Sequence, residues 1–122
     1  MEYKSFGEFL HAKRLEKGVS YRELADVINV TAPYISDIEK ERRNAPVMEK
    51  LEKLSVYFGL TEEEKTEMFD LAGKKKDDLP PDLPDYIKGH DQVIAALRTA
   101  RSLGASDDDW QSFIDDLRAR KG

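Results

Sequence analysis

At 122 residues the chain is long enough for one compact domain, or for a small domain with an extension. With 39% hydrophobic and 37% charged residues it is polar yet globular, and no apolar run nears the ~20 residues that span a bilayer. The lack of cysteine excludes disulfides and thiolate metal sites, and a net charge of −5 excludes a phosphate-binding surface that covers the whole molecule.

The charge is unevenly spread. Residues 1–60 carry ten bases and ten acids, residues 61–83 four bases and eight acids, and residues 84–122 six bases and seven acids. Any surface for nucleic acid must be local and lie in the first half. The opening "MEYKSFGEFL" lacks a basic stretch followed by an apolar core, so a cytoplasmic location is expected rather than secretion. His11 and His90 stand far apart, with no acidic cluster at ligand spacing, and read as exposed or packed helix residues.

No run alternates at period two, and the chain reads as helices throughout. The first helix is predicted over about 5–17, with Phe6, Phe9, Leu10 and Leu15 as its apolar stripe and Gly18 as its stop. Ser20 opens a second helix. Glu23 follows three residues later, so "SYRE" is a capping box: the hydroxyl accepts an amide and the carboxylate reaches back to the cap. Leu24, Ala25 and Ile28 face inward. "NVT" ends that helix, and Thr31 caps a third over 31–40. Pro33 fits the first turn, where an amide has no partner within the helix. Ile35 and Ile38 bury this third helix against the second. A fourth runs over about 46–58, with Met48, Leu51, Leu54 and Phe58 on one side and Gly59 after it. Thr61 and Glu64 form a second capping box, opening a fifth helix that is predicted to reach Ala72 and to stop at Gly73.

Residues 74–84, "KKKDDLPPDLP", read as a Pro-rich extended linker, with Lys74, Lys75 and Lys76 solvated beside Asp77 and Asp78. Two more helices are predicted, over about 85–103 and 107–120, separated by Gly104. Ser106 caps the last one. Asp107, Asp108 and Asp109 fall in its first turn, where negative charge suits the helix dipole better than it suits a metal. Trp110, Phe113, Ile114 and Leu117 follow the i, i+3, i+4, i+7 spacing, and Val93, Ile94, Leu97 and Ala100 give the partner helix its stripe. A hairpin this small cannot bury that much aromatic surface alone. It is expected to pack on the first domain or on a second chain, with Trp110, Phe113, Ile114 and Leu117 as the dimer interface. The expected organisation is 1–73, a folded domain; 74–84, a linker; and 85–122, a helical hairpin.

Helices at 20–28 and 31–40, joined by a short turn, make a helix-turn-helix. The outer face of the second presents Ala32, Pro33, Ser36, Asp37 and Lys40, and such a face fits the roughly 12 Å major groove of DNA. The stretch "FGEFLHAKRLEKGVSYRELADVINVTAPYISDIEKERRNAP" resembles the lambda-repressor-like, Cro/CI-type (XRE) family. The resemblance rests on R-x-x-x-G-x-S from Arg14 to Ser20, on "ELA" in the second helix, on V-T-x-x-Y-I-S-x-I-E in the third, and on the basic RRN-x-P at 42–46. It covers about residues 5–72. It implies an all-α chain: a five-helix DNA-binding domain, here followed by the two-helix hairpin, acting as a homodimer on a palindromic site in double-stranded DNA.

The resemblance also implies roles for residues. Tyr21 stands where the family often has a glutamine that supports a phosphate contact, and its hydroxyl can still donate. Base-reading positions fall on Ala32, Pro33 and Asp37. The first two can only meet a thymine methyl, while Asp37 can accept from cytosine N4 and would repel phosphate. Thr31, Tyr34 and Ser36 offer hydroxyls. Lys40, Arg42 and Arg43 lie where the family binds phosphates, with Asn44 and Arg22 as further candidates. Arg14 and Glu39 are expected to form an ion pair that joins the first and third helices. No phosphate-cradling glycine loop or nucleophile–base pair is visible, so neither enzymatic activity nor a cofactor or metal is expected. The leading expectation is a sequence-specific transcriptional regulator, a repressor of phage or mobile-element type with no membrane partner. The alternative is a protein-interaction module, such as an antitoxin or adaptor, with an unknown protein partner. It draws on the acidic total, on Asp37, and on the lack of bases from 31 to 39.

Overall fold

The computed structural model describes residues 3–122. They form helices α1 (Phe6–Lys17), α2 (Tyr21–Val27), α3 (Ala32–Glu39), α4 (Met48–Phe58), α5 (Glu62–Lys75), α6 (Asp82–Lys88), α7 (Asp91–Leu103) and α8 (Asp107–Lys121). No strand occurs among the described residues, so the chain is all-α. It divides into two compact units, the first ending at Asp85 and the second beginning at Tyr86.

Side chains start most of these helices. The Ser5 hydroxyl accepts the Glu8 amide at 3.1 Å. Ser20 with Glu23, Thr61 with Glu64, and Ser106 with Asp109 each form a complete capping box. Each box satisfies two donors that the helix itself leaves unpaired, which commonly stabilises by about 1 kcal/mol. At the far ends of α1, α4 and α7, a left-handed glycine closes the last turn.

Phe6, Phe9 and Leu10 of α1 meet Leu24, Ala25 and Ile28, Ile35 and Ile38, Leu51 and Leu54, and Met68, Phe69, Leu71 and Ala72 in one core. A fully buried Leu, Ile or Phe contributes roughly 1.5–3 kcal/mol, so this cluster fixes the first unit. Leu15 does not join it and is 58% exposed. Five residues beyond Leu10 at 100° each put it well round the helix from the stripe that Phe6, Phe9 and Leu10 define.

Two further expectations are corrected. Gly73 does not stop α5, which continues to Lys75 before turning at Asp77. A Cβ on Gly73 would lie 2.7 Å from the Leu79 carbonyl oxygen and 2.8 Å from its carbon. The glycine is there to let the following strap lie against the helix, and the Asp78 amide seals the approach by donating to Gly73 O at 3.1 Å. The helix expected over 85–103 is two, α6 and α7, broken at Gly89 and His90. His90 Nδ1 lies 2.8 Å from Tyr86 O, and its ring stacks on Tyr86 at 4.4 Å.

In the second unit, no residue of α7 or α8 is buried. Trp110 and Phe113 meet edge to face at 6.1 Å, yet Phe113 stays 52% exposed, and Leu97, Ile114 and Leu117 are also exposed. Among the described residues no helix is long and apolar enough to cross a membrane.

Candidate nucleic-acid interface

Ala25 is small and almost fully buried, so α2 and α3 approach closely across the turn at residues 28–31. Asn29 takes the left-handed conformation there, one that asparagine tolerates, and the Val30 amide donates to Ala25 O at 3.0 Å. Thr31 Oγ1 accepts the Tyr34 amide at 3.3 Å, which leaves its hydroxyl proton free to donate outward. Ile35 and Ile38 are buried and hold α3 down. The opposite side then carries Pro33, exposed, and Ala32, Ser36 and Asp37, half-buried.

The far end of α3 is closed by a residue other than glycine. Glu41 takes φ 63°, its amide donates to Ile38 O at 3.1 Å, and the Arg42 amide donates to Asp37 O at 2.8 Å. This is a Schellman closure with glutamate at the left-handed position. Two neighbours hold it. Lys75 Nζ donates to Glu41 O at 2.8 Å and lies 3.7 Å from its carboxylate. Gly7 of α1 leaves the space into which the Glu41 side chain folds. The closure turns the basic segment back along the helix. The Arg42 guanidinium stands 3.9 Å from the Asp37 carboxylate, and the Arg43 guanidinium lies over the Tyr34 ring at 4.6 Å. Lys40 and Asn44 are exposed beside them.

Arg14 organises the side facing α1. Its Nε donates to Glu39 Oε2 at 2.7 Å, its Nη2 to Oε1 at 3.2 Å, and its Nη1 to Val19 O at 3.1 Å. His11 Nδ1 lies 2.7 Å from the same Oε1. The Glu39 side chain is 3% exposed, so its charge is nearly removed from water and depends on these partners. The hydrogen bond to Glu39 outweighs burial and raises the Arg14 pKa. The same guanidinium lies 4.3 Å over the Tyr21 ring, which places Tyr21 at the first turn of α2 with exposed Arg22 beside it. A second pair ties α1 to α5, between Lys13 and Glu64. The Lys13 hydrogen bond, then the Thr61 amide, hold the Glu64 carboxyl below its usual range. Burial pulls the Lys13 ammonium down, but the bond to Glu64 and that carboxylate's charge prevail and raise it.

The first unit thus gathers Tyr21, Arg22, Thr31, Ala32, Pro33, Tyr34, Ser36, Asp37, Lys40, Arg42, Arg43 and Asn44 around α2 and α3, with Arg14 and Glu39 beneath. Trp110, Phe113, Ile114 and Leu117 all lie on α8 in the second unit. Gly7 and Glu41 escaped the sequence reading, which also took His11 only for an exposed or packed helix residue, and Lys75, read there as a solvated linker residue, instead ends α5 bonded to Glu41. His11 is three residues from Arg14 on one helix face, so its share in the ion pair was available to a spacing argument. Glu41 and Lys75 are far apart in sequence and no local pattern joins them. Among the described residues, no group of three or more His, Cys, Asp or Glu is placed to hold a metal.

Comparison with known proteins bears on the same segment. The family model described as helix-turn-helix (HTH_3) matches residues 10–65. The HTH-type transcriptional regulator DdrOP3 of Deinococcus deserti is 32% identical over 81 residues, which is 66% of this chain and 62% of that protein. The chain therefore spans less than two thirds of that relative's length. Among solved structures, a chain of the SinR protein/SinI protein complex aligns over 95% of this chain and 97% of its own length, at 26% identity and a TM-score of 0.45. The matched segment holds α2, the turn and α3 at its centre, and over residues 10–65 the chain matches the XRE-type helix-turn-helix family.

Proposed function

We propose that the chain is a sequence-specific regulator of transcription that binds double-stranded DNA, a repressor of phage or mobile-element type acting as a dimer. The observation that carries this reading is the build of α3. Its inner side is anchored by Ile35 and Ile38, its outer side presents Ala32, Pro33, Ser36 and Asp37, and a Schellman closure aims Lys40, Arg42 and Arg43 alongside its end. In the reading, α3 enters the major groove. Thr31 and Ser36 donate to bases or backbone, Ala32 and Pro33 meet thymine methyls, and Asp37 accepts from cytosine N4. Tyr21, Arg22, Lys40, Arg43 and Asn44 take phosphates. The relative's own name is that of a transcriptional regulator, which points the same way.

Salt titration of binding to a duplex selected from a random pool tests it. Each lost phosphate contact flattens the slope of log affinity against log salt by about 0.9. Lys40→Ala and Arg43→Ala are each expected to flatten it by about that amount, without changing which half-site is selected. If no duplex binds at low salt, the reading fails, and the alternative of a protein-interaction module takes its place.

Dimerisation belongs to the second unit in this reading. A single domain of this size makes too few base contacts for tight specificity, and two copies reach half-sites about 34 Å apart. Phe113, Ile114 and Leu117 are exposed with Trp110 half-buried beside them, and in this reading a second copy of the hairpin covers the stripe. Phe113→Glu with Leu117→Glu in the full chain is expected to convert the dimer to monomer in sedimentation. An oligomer unchanged by the pair would remove these residues from the interface.

A further inference from the structure

Asp37 is the one acid on the outer side of the recognition helix, and it faces a cation of its own chain. The closure after α3 is made by backbone groups: the Arg42 amide donates to Asp37 O at 2.8 Å with Glu41 left-handed between them. That geometry returns the Arg42 side chain over the residue whose carbonyl it caps, and the guanidinium reaches the Asp37 carboxylate at 3.9 Å. Asp37 is 38% exposed and Arg42 68%, so the pair lies at the surface, on the side that the proposed function turns to DNA. We infer that Asp37 is a specificity-determining counter-ion: it competes with DNA phosphate for Arg42, and releases it only when a base takes the carboxylate.

The inference rests on the DNA-binding reading of α3 and deepens it. On a sequence with no donor for Asp37, the carboxylate keeps Arg42 and also repels the strands, so one phosphate contact is missing. Where a cytosine presents its N4 amino group at that position, Asp37 accepts from it and Arg42 turns to a phosphate. One base pair is then read twice, once by a hydrogen bond and once through an unlocked backbone contact. An exposed ion pair at this distance is weak, which lets the exchange occur within a bound complex. Arg43, held over Tyr34 by its ring face, has no acid partner among the described residues and stays available on every sequence.

The test is a double-mutant cycle in the full chain on a mixed-sequence duplex and on a selected one, across a salt series. On the mixed duplex Asp37→Asn is expected to tighten binding about fivefold and to steepen the salt slope by up to about 0.9. On the selected duplex, where Arg42 is already free and the amide oxygen accepts from cytosine N4 more weakly than the carboxylate, no such tightening is expected, so discrimination shrinks. The same substitution made in an Arg42→Ala background is expected to leave the mixed-duplex slope unchanged, since no cation remains to be freed. Asp37→Ser removes the charge with a smaller side chain and is expected to reproduce the result. Equal tightening by Asp37→Asn with and without Arg42 overturns the inference, because it shows plain repulsion rather than competition. An unchanged slope in Asp37→Asn overturns it as well. Both outcomes leave DNA binding standing, whereas failure of every variant and of the native chain to bind either duplex removes the functional reading itself.

Discussion

Gly7→Ala is expected to lower the melting temperature by about 10 °C, the equivalent of about 2 kcal/mol in a domain of this size. Alanine is otherwise the better helix former by about 1 kcal/mol, so a loss here runs against propensity and must come from contact. An added Cβ would lie 2.1 Å from a Glu41 carboxylate oxygen, 2.5 Å from Ile38 O and 2.8 Å from Glu39 O. The carboxylate is the tip of a flexible side chain and can swing away. The two carbonyls are backbone at the end of α3 and cannot move without shifting the helix. Gly7→Ala with Glu41→Ala is therefore expected to stay as unstable as Gly7→Ala, since removing the carboxylate leaves both carbonyls in place. A thermal melt of the two variants decides it. A Gly7→Ala chain that melts at or above the native temperature would show that α1 and α3 do not approach this closely.

The same contact shows where the sequence could and could not be read. The helices were legible because their ends are encoded locally. Ser20 with Glu23 and Thr61 with Glu64 form the capping boxes that their spacing announced. Gly18, Gly59 and Gly104 close the helices that they follow. The buried faces were legible wherever the apolar spacing is regular, as at Leu24, Ile28, Ile35 and Ile38. What failed was non-local. Gly7 reads as an ordinary helix residue until Glu41 is placed beside it. Gly73 reads as a stop because glycine after a helix usually is one, and only the passage of Leu79 and Pro80 over it explains a glycine inside α5. Glu41 carries no mark of the left-handed conformation, which Lys75 helps to hold from the end of α5. For the candidate site, the residue list around α3 followed from the resemblance. The pairings within it, Arg42 on Asp37 and Arg43 on Tyr34, depend on the closure at Glu41 and so lay beyond sequence patterns.

Arg14→Met is expected to cost about 3 kcal/mol, because it leaves the Glu39 carboxylate buried without its main charge partner. His11 remains at 2.7 Å from one oxygen, but the bonds from Arg14 Nε and Nη2 are lost together, and so is the donor to Val19 O. Lysine is no substitute, since one ammonium cannot reproduce the fork that holds both carboxylate oxygens. Glu39→Met alone leaves Arg14 with Val19 O and the Tyr21 ring, and 12% of its side chain in water, so the cost is expected to be smaller. Both substitutions together are expected to recover most of the loss, because two packed apolar side chains replace a pair whose desolvation consumed much of its attraction. Melting or urea curves of the four proteins measure the coupling directly. The functional consequence separates structure from recognition. Well below its melting temperature, the double variant is expected to keep the native salt slope on DNA apart from any change transmitted through Tyr21, whose ring rests against Arg14. A double variant as unstable as Arg14→Met would mean that the stability lies in Arg14's other contacts, and that Glu39 is not what joins α1 to α3.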